Sequence, residues 1–306
     1  MATDTTPERP APPAGDAPAP RPARTGDPAP RREGAVVNFF SQGFLWLWAL
    51  AVIIPVLWIV LSSFKTSREI ASDPLGLPEA MHWQNYANAW SNGHIGDYFI
   101  NTIQVMAFSV TGTMLLGAMA AYVLARYEFF GNRIIYFLFA AGMMFPVFLA
   151  LFPLFKTLQN VSLLNTYTGL ILVYIAYSLP FTVFFLTAFF RTLPTGVAEA
   201  AIVDGAGHYR LFFQVMLPMA KPGLIAITIF NIIGQWNQFL LPLVLLNHPD
   251  DAMISQGLAN LALRQGYEGD AGALFAGTVL AMLPIFIAYI IFQRQIQAGL
   301  TAGAIK

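Results

Sequence analysis

Six long segments of this chain are predominantly apolar and contain no charged side chain. Crossing about 30 Å of hydrocarbon takes about 20 helical residues, and each segment reaches that length. Their uniform apolar character lacks the alternation of a membrane β-barrel, so the expected spans are helices. The predicted fold is an all-α polytopic membrane protein with six transmembrane helices, near residues 44–64, 98–125, 134–155, 166–190, 222–246 and 271–292.

The fifth predicted span carries three amide side chains on one helical face. Asn231, Gln235 and Gln238 follow the i, i+4, i+7 spacing that aligns residues on a helix. They either form hydrogen bonds between helices or line a polar translocation path, and the sequence leaves both interpretations open. Asn237 lies about 100° from Gln238 around the helix, which favours a role in structure or in contact with a partner.

Small residues and prolines add local expectations within the spans. Gly117 and Ala121, one helical turn apart, favour close packing of the second span against another helix. Proline inside a membrane helix either breaks or kinks it or is tolerated without consequence. Four prolines lie inside the predicted spans: Pro146, Pro180, Pro242 and Pro284.

Composition supports a membrane protein and excludes several classes of function. The 306 residues are 57% apolar and 10% charged, against about 25% charged in soluble domains. The chain has no cysteine, its four histidines show no metal-ligand spacing, and it lacks the Gly-Lys-Ser/Thr phosphate-binding loop. Ion-coupled carriers usually need ionisable groups inside their spans, and these spans have none. We therefore expect no catalytic residue, cofactor, metal site or nucleic-acid partner.

The N-terminal segment and the distribution of basic residues predict the domain organisation and the topology. Residues 1–35 hold nine of the 21 prolines and are predicted to be a disordered tail before a transmembrane domain of residues 36–306. With both termini in the cytosol, twelve of the 16 basic residues fall on the cytosolic side and four on the outer side. This orientation places the polar segment 191–221, which we call the 191–221 loop, in the cytosol.

The 191–221 loop has the pattern of two short helices joined by a glycine hinge. Pro194 and Thr195 suit the start of the first helix, with the threonine hydroxyl as a cap, and Gly205 and Gly207 suit its end. Three alanines (Ala198, Ala200 and Ala201) leave room for another protein to approach closely. Leu211, Phe212, Val215 and Met216 recur at helical spacing in the second helix, as in a helix that lies against the membrane surface, and this face is expected to serve packing rather than recognition.

Several short motifs accompany this loop. They include Ser62-Ser63-Phe64-Lys65-Thr66, Trp83-Gln84-Asn85-Tyr86, Met144-Phe145-Pro146, Gln235-Trp236-Asn237, and the tail Gly299-Leu300-Thr301-Ala302-Gly303. With Glu199-Ala200-Ala201, Gly205 and Leu217-Pro218, they resemble the permease subunits of ABC importers of the glutamate-alanine-alanine loop family. The resemblance covers roughly residues 40–306 and is to the carbohydrate-uptake branch, in particular the shorter of its two permease subunits.

The resemblance implies a type I importer permease in a bacterial plasma membrane, multi-pass, with both termini cytoplasmic. Its implied partners are a pair of ATPase subunits, a second permease, an extracytoplasmic solute-binding protein, a sugar and the lipid bilayer. It implies that the ATPase docks on Glu199, Ala200, Ala201, Asp204, Gly205, Leu217 and Pro218, and that it also contacts Gly299, Leu300, Thr301, Ala302 and Gly303. Asp204 serves either this contact or the end of the first helix. The alternatives are import of another solute, such as a phosphorylated polyol, and a non-transporting membrane scaffold.

Overall fold

The computed structural model describes the backbone of residues 32–302. Residues 1–31 and 303–306 lie outside this description, as do the side chains of residues 32–37, 264–268 and 296–302. The predicted disordered tail therefore lies almost wholly outside the described residues. Its predicted boundary at residue 35 does not coincide with the first helix, which begins at Arg32.

The described backbone is helical and contains no strand. Its α-helices are α1 Arg32–Ser62, α2 Ser67–Ser72, α3 Gln84–Ala87, α4 Ile95–Arg126, α5 Asn132–Gly142, α6 Val147–Asn160, α7 Tyr167–Thr192, α8 Thr195–Val203, α9 His208–Arg210, α10 Leu217–Met219, α11 Lys221–Trp236, α12 Leu240–Leu245, α13 Ile254–Glu268 and α14 Ala271–Ala302. Two π-helical stretches, Asn88–Asn92 and Leu211–Met216, and a 3-10 turn, Pro249–Asp251, complete the helical elements.

The chain divides into two compact units, Met1–Ile53 and Ile54–Lys306. In the first unit, the described residues belong to the beginning of α1. Their large apolar side chains, among them Phe39, Trp46 and Trp48, are exposed, which suits a helix surrounded by lipid. All of the sites described below lie in the second unit.

Four of the six predicted spans are single helices. Apolar helices long enough to cross a membrane occupy Asn38–Ser62, Ile95–Arg126, Tyr167–Thr192 and Ala271–Gln295. Pro180 and Pro284 lie inside α7 and α14, which continue past them, so proline is tolerated at both positions.

The third predicted span is a bent pair of helices. The axes of α5 and α6 differ in direction by 101°, and α6 begins directly after Pro146. Proline disfavours helical geometry in the residue before it, which here is Phe145, so a helix ending before this point is expected. Of the two outcomes that the sequence left open at Pro146, the structure shows the break.

The prediction that residues 222–246 form a single membrane-spanning helix is wrong. The helix α11 ends at Trp236 after 16 residues, about 24 Å, and the chain restarts as α12 at Leu240. Pro242 accounts for the break, because it has no N–H for the carbonyl of Gln238 and its ring would clash there. The Ser255 hydroxyl donates to that carbonyl instead, at 2.8 Å.

The helices α4 and α7 pack along each other and form the centre of the second unit. A Cβ added at Gly117 would lie 2.5 Å from Thr182 Cγ2, so glycine allows the close approach that the sequence predicts. One apolar cluster joins α4 and α7 to the second helix of the 191–221 loop, and another joins them to α12. The loop is thus attached to the central helix pair.

The motif residues that follow α1 are tied together by backbone contacts. The buried Asn85 amide donates to the carbonyl oxygens of Ser63 and Lys65, at 2.9 and 2.8 Å. The Lys65 ammonium is buried and donates to the carbonyl oxygen of Asp73, at 2.8 Å. Because these bonds satisfy buried polar groups, the motifs around residues 62–66 and 83–86 have a structural role.

Candidate functional site

The 191–221 loop forms two helices with a glycine hinge, as the sequence predicts. The first helix, α8, ends in a Schellman motif, in which the amides of Gly205 and Ala206 donate to the carbonyls of Ile202 and Ala201, both at 2.9 Å. Gly205 has φ = +82°, a conformation that favours glycine, and Asp204 is the residue that ends the helix. Asp204 therefore has the local role at the helix end, and its contact with the ATPase stays a prediction.

Two details of this loop differ from the sequence-based expectations. The residue before α8 is Pro194, with extended geometry and no side-chain cap, while Thr195 is the first helical residue and does not cap it. Gly207 has φ = −72°, so the left-handed conformation expected for both glycines occurs only at Gly205. Proline before a helix already fixes a suitable φ, which makes a hydroxyl cap dispensable.

The two faces of α8 have different environments. Ala198 and Ala201 pack against the second helix of the loop, whereas Glu199 and Ala200 are exposed on the opposite face. The expectation that all three alanines make room for a partner stays a prediction. Ala198 and Ala201, three residues apart and so on one side of the helix, are partly covered by the second helix of the loop, whereas Ala200 is exposed.

The second helix of the loop, His208–Met219, is anchored in the membrane domain. Leu211, Phe212 and Met216 are buried in a cluster with Tyr122 of α4 and Phe190 of α7. The Phe212 and Tyr122 ring centroids are 5.0 Å apart. The prediction that this face serves packing is confirmed. Leu217 joins the same cluster at its edge, and Pro218 is exposed.

Two exposed apolar side chains follow Glu199 on α8 by three and four residues. Val203 is 85% exposed and Ile202 57%. A group of exposed apolar residues with a carboxylate beside it is typical of a protein interaction surface. We call Glu199, Ala200, Ile202 and Val203 the α8 outer face.

The amides of α11 form the interhelical hydrogen bonds that the sequence offered as one interpretation. Asn231 donates to the Thr182 hydroxyl of α7 at 2.9 Å. Gln235 accepts from the Ser109 hydroxyl of α4 at 2.5 Å and donates to the Ser178 hydroxyl of α7 at 3.1 Å. Sequence reasoning missed these hydroxyl partners, although serine and threonine inside apolar spans are a usable signal.

The same amides also line a cavity of about 380 Å³ between α7, α11 and the α5–α6 bend. Besides Asn231, Gln235 and Gln238, its wall includes Tyr174, Tyr177, Ser178, Phe181, Phe230, Met143 and Phe145, and it contains no charged side chain. The side-chain amide of Gln238 has no hydrogen-bond partner among the described residues. The interhelical interpretation is confirmed for Asn231 and Gln235, whereas the translocation path stays a prediction, with the Gln238 amide free at the cavity.

The predicted C-terminal contact is only partly described. Residues 299–302, which include Gly299, Leu300, Thr301 and Ala302, continue α14 to its end, whereas Gly303 lies outside the described residues. By sequence, Gly299 and Gly303 favour an extended or bent backbone. At Gly299 the backbone is helical instead. In the described part of the chain, no three His, Asp or Glu side chains come close enough to hold a metal ion.

Comparison with known proteins identifies the family. Residues 113–301 match the family described as binding-protein-dependent transport system inner membrane component. The chain is 51% identical over 284 residues to the diacetylchitobiose uptake system permease protein NgcG of Streptomyces coelicolor, covering 93% of each chain. It is 35% identical over 254 residues to the trehalose transport system permease protein SugB of Mycobacterium tuberculosis, covering 83% of this chain and 92% of the relative.

The fold agrees with a solved structure of the same kind. A crystal structure of a bacterial ABC transporter that imports the acidic polysaccharide alginate matches with a TM-score of 0.76 at 21% identity, covering 88% of this chain and 99% of the other. The chain belongs to the family of inner-membrane permease components of binding-protein-dependent transport systems. The predicted all-α, type I importer permease fold is confirmed.

Proposed function

We propose that this chain forms, with a second permease subunit, the membrane path of an ATP-driven importer for an oligosaccharide. An extracytoplasmic binding protein delivers the sugar, and a separate pair of ATPase subunits supplies the energy. The uncharged cavity with the free amide of Gln238 is the observation that carries this proposal. Sugar hydroxyls pair with amides, and the apolar faces of sugar rings stack on aromatic side chains such as Tyr177, Phe181 and Phe230.

An N-acetylated disaccharide is the first substrate to test. The 51% identical relative is named as a diacetylchitobiose uptake permease, and the cavity offers an amide donor and acceptor for an acetamido group. The cavity wall has no lysine or arginine, so the phosphate of a phosphorylated polyol would find no cation there. This difference favours the neutral sugar over the alternative solute.

The α8 outer face is the proposed dock for the ATPase. It is exposed on a helix whose other side is fixed to the membrane domain, so a push on it is transmitted to α4 and α7 through their shared cluster. The Glu199 carboxylate supplies a charge-assisted bond to a basic group of the partner. The chain has no phosphate-binding loop of its own, which agrees with a separate ATPase.

The proposed orientation has both termini and the 191–221 loop in the cytosol. It rests on the excess of basic residues on that side and on the need of the ATPase for cytosolic ATP. The proposed second contact of the ATPase, at residues 299–303, follows from the family resemblance alone.

The Gln238→Ala variant tests the substrate path. Uptake of labelled diacetylchitobiose should fall at least about fivefold with Gln238→Ala, because one lost hydrogen bond in a dry site is worth about 1 kcal/mol or more. The matched control is Asn237→Ala, which removes an exposed amide one residue away that bonds only to its own helix at Ile233. The experiment uses the assembled transporter in proteoliposomes with its binding protein.

Unchanged uptake in Gln238→Ala, or an equal loss in both variants, would remove the cavity from the sugar path. Uptake of a different solute with no response to any sugar would contradict the substrate class.

A further inference from the structure

A second cavity, of about 610 Å³, lies where α4 and α7 end and α5 begins. Three arginines line it, Arg126, Arg133 and Arg191, together with one carboxylate, Glu128. None of these arginines forms an ion pair with a carboxylate in the described part of the chain. With one carboxylate against three guanidiniums, the lining keeps a net positive charge, which favours a bound anion.

Arg126 has an unsatisfied donor at this cavity. One terminal nitrogen of its guanidinium donates to the carbonyl oxygen of Leu193, at 2.6 Å. Its Nε is buried and has no hydrogen-bond partner. A buried charged donor without an acceptor is unfavourable, and an anionic oxygen in the cavity would supply the acceptor.

The position of Arg133 at a helix start also favours binding of an anion. Arg126 and Arg191 lie in the last turns of α4 and α7, where the helix dipole favours a cation. Arg133 instead lies in the first turn of α5, where the dipole disfavours one. The backbone amides of Arg133 and Ile134 have no backbone acceptor among the described residues, so this helix start adds two free donors beside the arginines.

Specific contacts hold the walls of this cavity in place. Gly131, at φ = +89°, forms the turn between α4 and α5. The Asn132 side chain donates to the carbonyls of Leu124 and Tyr127, at 3.2 and 2.7 Å, which fixes α5 to the end of α4. The Arg191 guanidinium stacks over the Tyr136 ring, 5.0 Å from its centroid. These contacts hold Arg191 and the start of α5 beside one space.

We propose that Arg126, Arg133 and Arg191 form a binding site for the phosphate of an anionic phospholipid headgroup. Phosphate is the anion that several guanidiniums and helix N–H groups recognise together. Because α4 and α7 are membrane-spanning helices, their ends lie at headgroup depth. Phe129 lines the cavity and Phe130 beside it is fully exposed, which gives an acyl chain an apolar surface next to the phosphate site.

The bound lipid would be coupled to the 191–221 loop through the hydrogen bond from Arg126 to Leu193. Leu193, which accepts from Arg126, directly precedes the two residues that begin α8. A phosphate on the free Nε would hold Arg126 in the rotamer that makes this bond. The headgroup site therefore stabilises the start of α8, whatever solute the protein carries.

The test uses the full chain in detergent and measures lipid binding by native mass spectrometry, with phosphatidylglycerol and phosphatidylcholine as probes. Phosphatidylglycerol should bind more tightly, and the Arg133→Gln/Arg191→Gln variant should weaken its binding about 25-fold, or about fivefold for each arginine. Both of these arginines are exposed and neither holds Leu193, so the variant keeps the fold. The control, Arg210→Gln/Arg294→Gln, removes two charges outside the cavity and should bind as the parent does.

Three results would overturn the proposal. The first is equal binding of the two lipids by the parent protein, and the second is equal weakening in the cavity variant and the control. The third is full displacement of phosphatidylglycerol by inorganic phosphate at the same concentration, which would assign the site to a free phosphate.

Discussion

The two helices of the 191–221 loop have opposite environments although they are adjacent in sequence and similar in apolar content. The second helix, His208–Met219, buries Leu211, Phe212 and Met216 between α4 and α7. The first, α8, buries only small alanines and exposes Ile202 and Val203. One helix therefore fixes the loop to the membrane domain, and the other presents an apolar and acidic surface. The difference teaches that side-chain size separates the two helices: large buried side chains anchor the second helix, whereas small alanines let α8 pack on one side and stay exposed on the other.

The largest expected effect comes from reversing the charge of the α8 outer face. Glu199→Lys should abolish uptake, because the lysine would repel the basic group that we propose on the ATPase. Glu199→Gln, which keeps the size and removes the charge, should cause a smaller loss. Membrane insertion and thermal stability should not change, since Glu199 is exposed. Normal uptake together with normal copurification of the ATPase would contradict the docking role.

A pair of truncations tests the contrast between the buried and the exposed helix directly. Met216→Ala should lower the free energy of unfolding by about 2–5 kcal/mol, because it leaves a cavity where a fully buried side chain packed. Ile202→Ala should change stability by less than about 0.5 kcal/mol and weaken ATPase copurification instead. Thermal unfolding in detergent and pull-down of the ATPase separate the two effects. Equal destabilisation by both changes would show that α8 is not a free surface.

The hinge between the two helices should show the smallest of these effects. Gly205→Ala should cost about 1–2 kcal/mol, since its φ of +82° is unfavourable for an L-residue although the space around it is open. Gly207→Ala is the matched control, because Gly207 has φ = −72° and open space as well. We expect the free energies of unfolding of the two variants to differ only by the backbone strain of an alanine at residue 205. Equal stability would indicate that the hinge relaxes without cost.

Much of this fold could be predicted because long apolar runs and glycine positions are local signals. Hydrophobic length identified four spans as single helices, whereas the prolines marked four positions for a break without deciding that the third span breaks at Pro146. The fifth span could not be placed correctly from apolar length. Its interruption depends on the carbonyl of Gln238, which Pro242 cannot satisfy and which Ser255, on another helix, does.

The residues of the cavity and of the 191–221 loop were predicted less completely, because the role of each one depends on contacts with other helices. Helical spacing aligned Asn231, Gln235 and Gln238, but only packing of α4 and α7 against α11 shows that the first two are bonded and the third is free. The same holds for Ala200 and Ala201, which are about 100° apart on α8 and differ in environment, since Ala200 is exposed and Ala201 packs against the second helix of the loop.

The sequence by itself determined that the chain is a helical membrane protein, that its loop holds two short helices joined at a glycine, and which family it resembles. These properties follow from apolar length, turn residues and short motifs, which act over a few neighbouring residues. Only the tertiary structure decided which face of α8 is exposed, which amide is free at the cavity, and that three arginines from α4, α5 and α7 share one space. Burial and hydrogen bonding between distant segments arise from helix packing, and no local pattern specifies them.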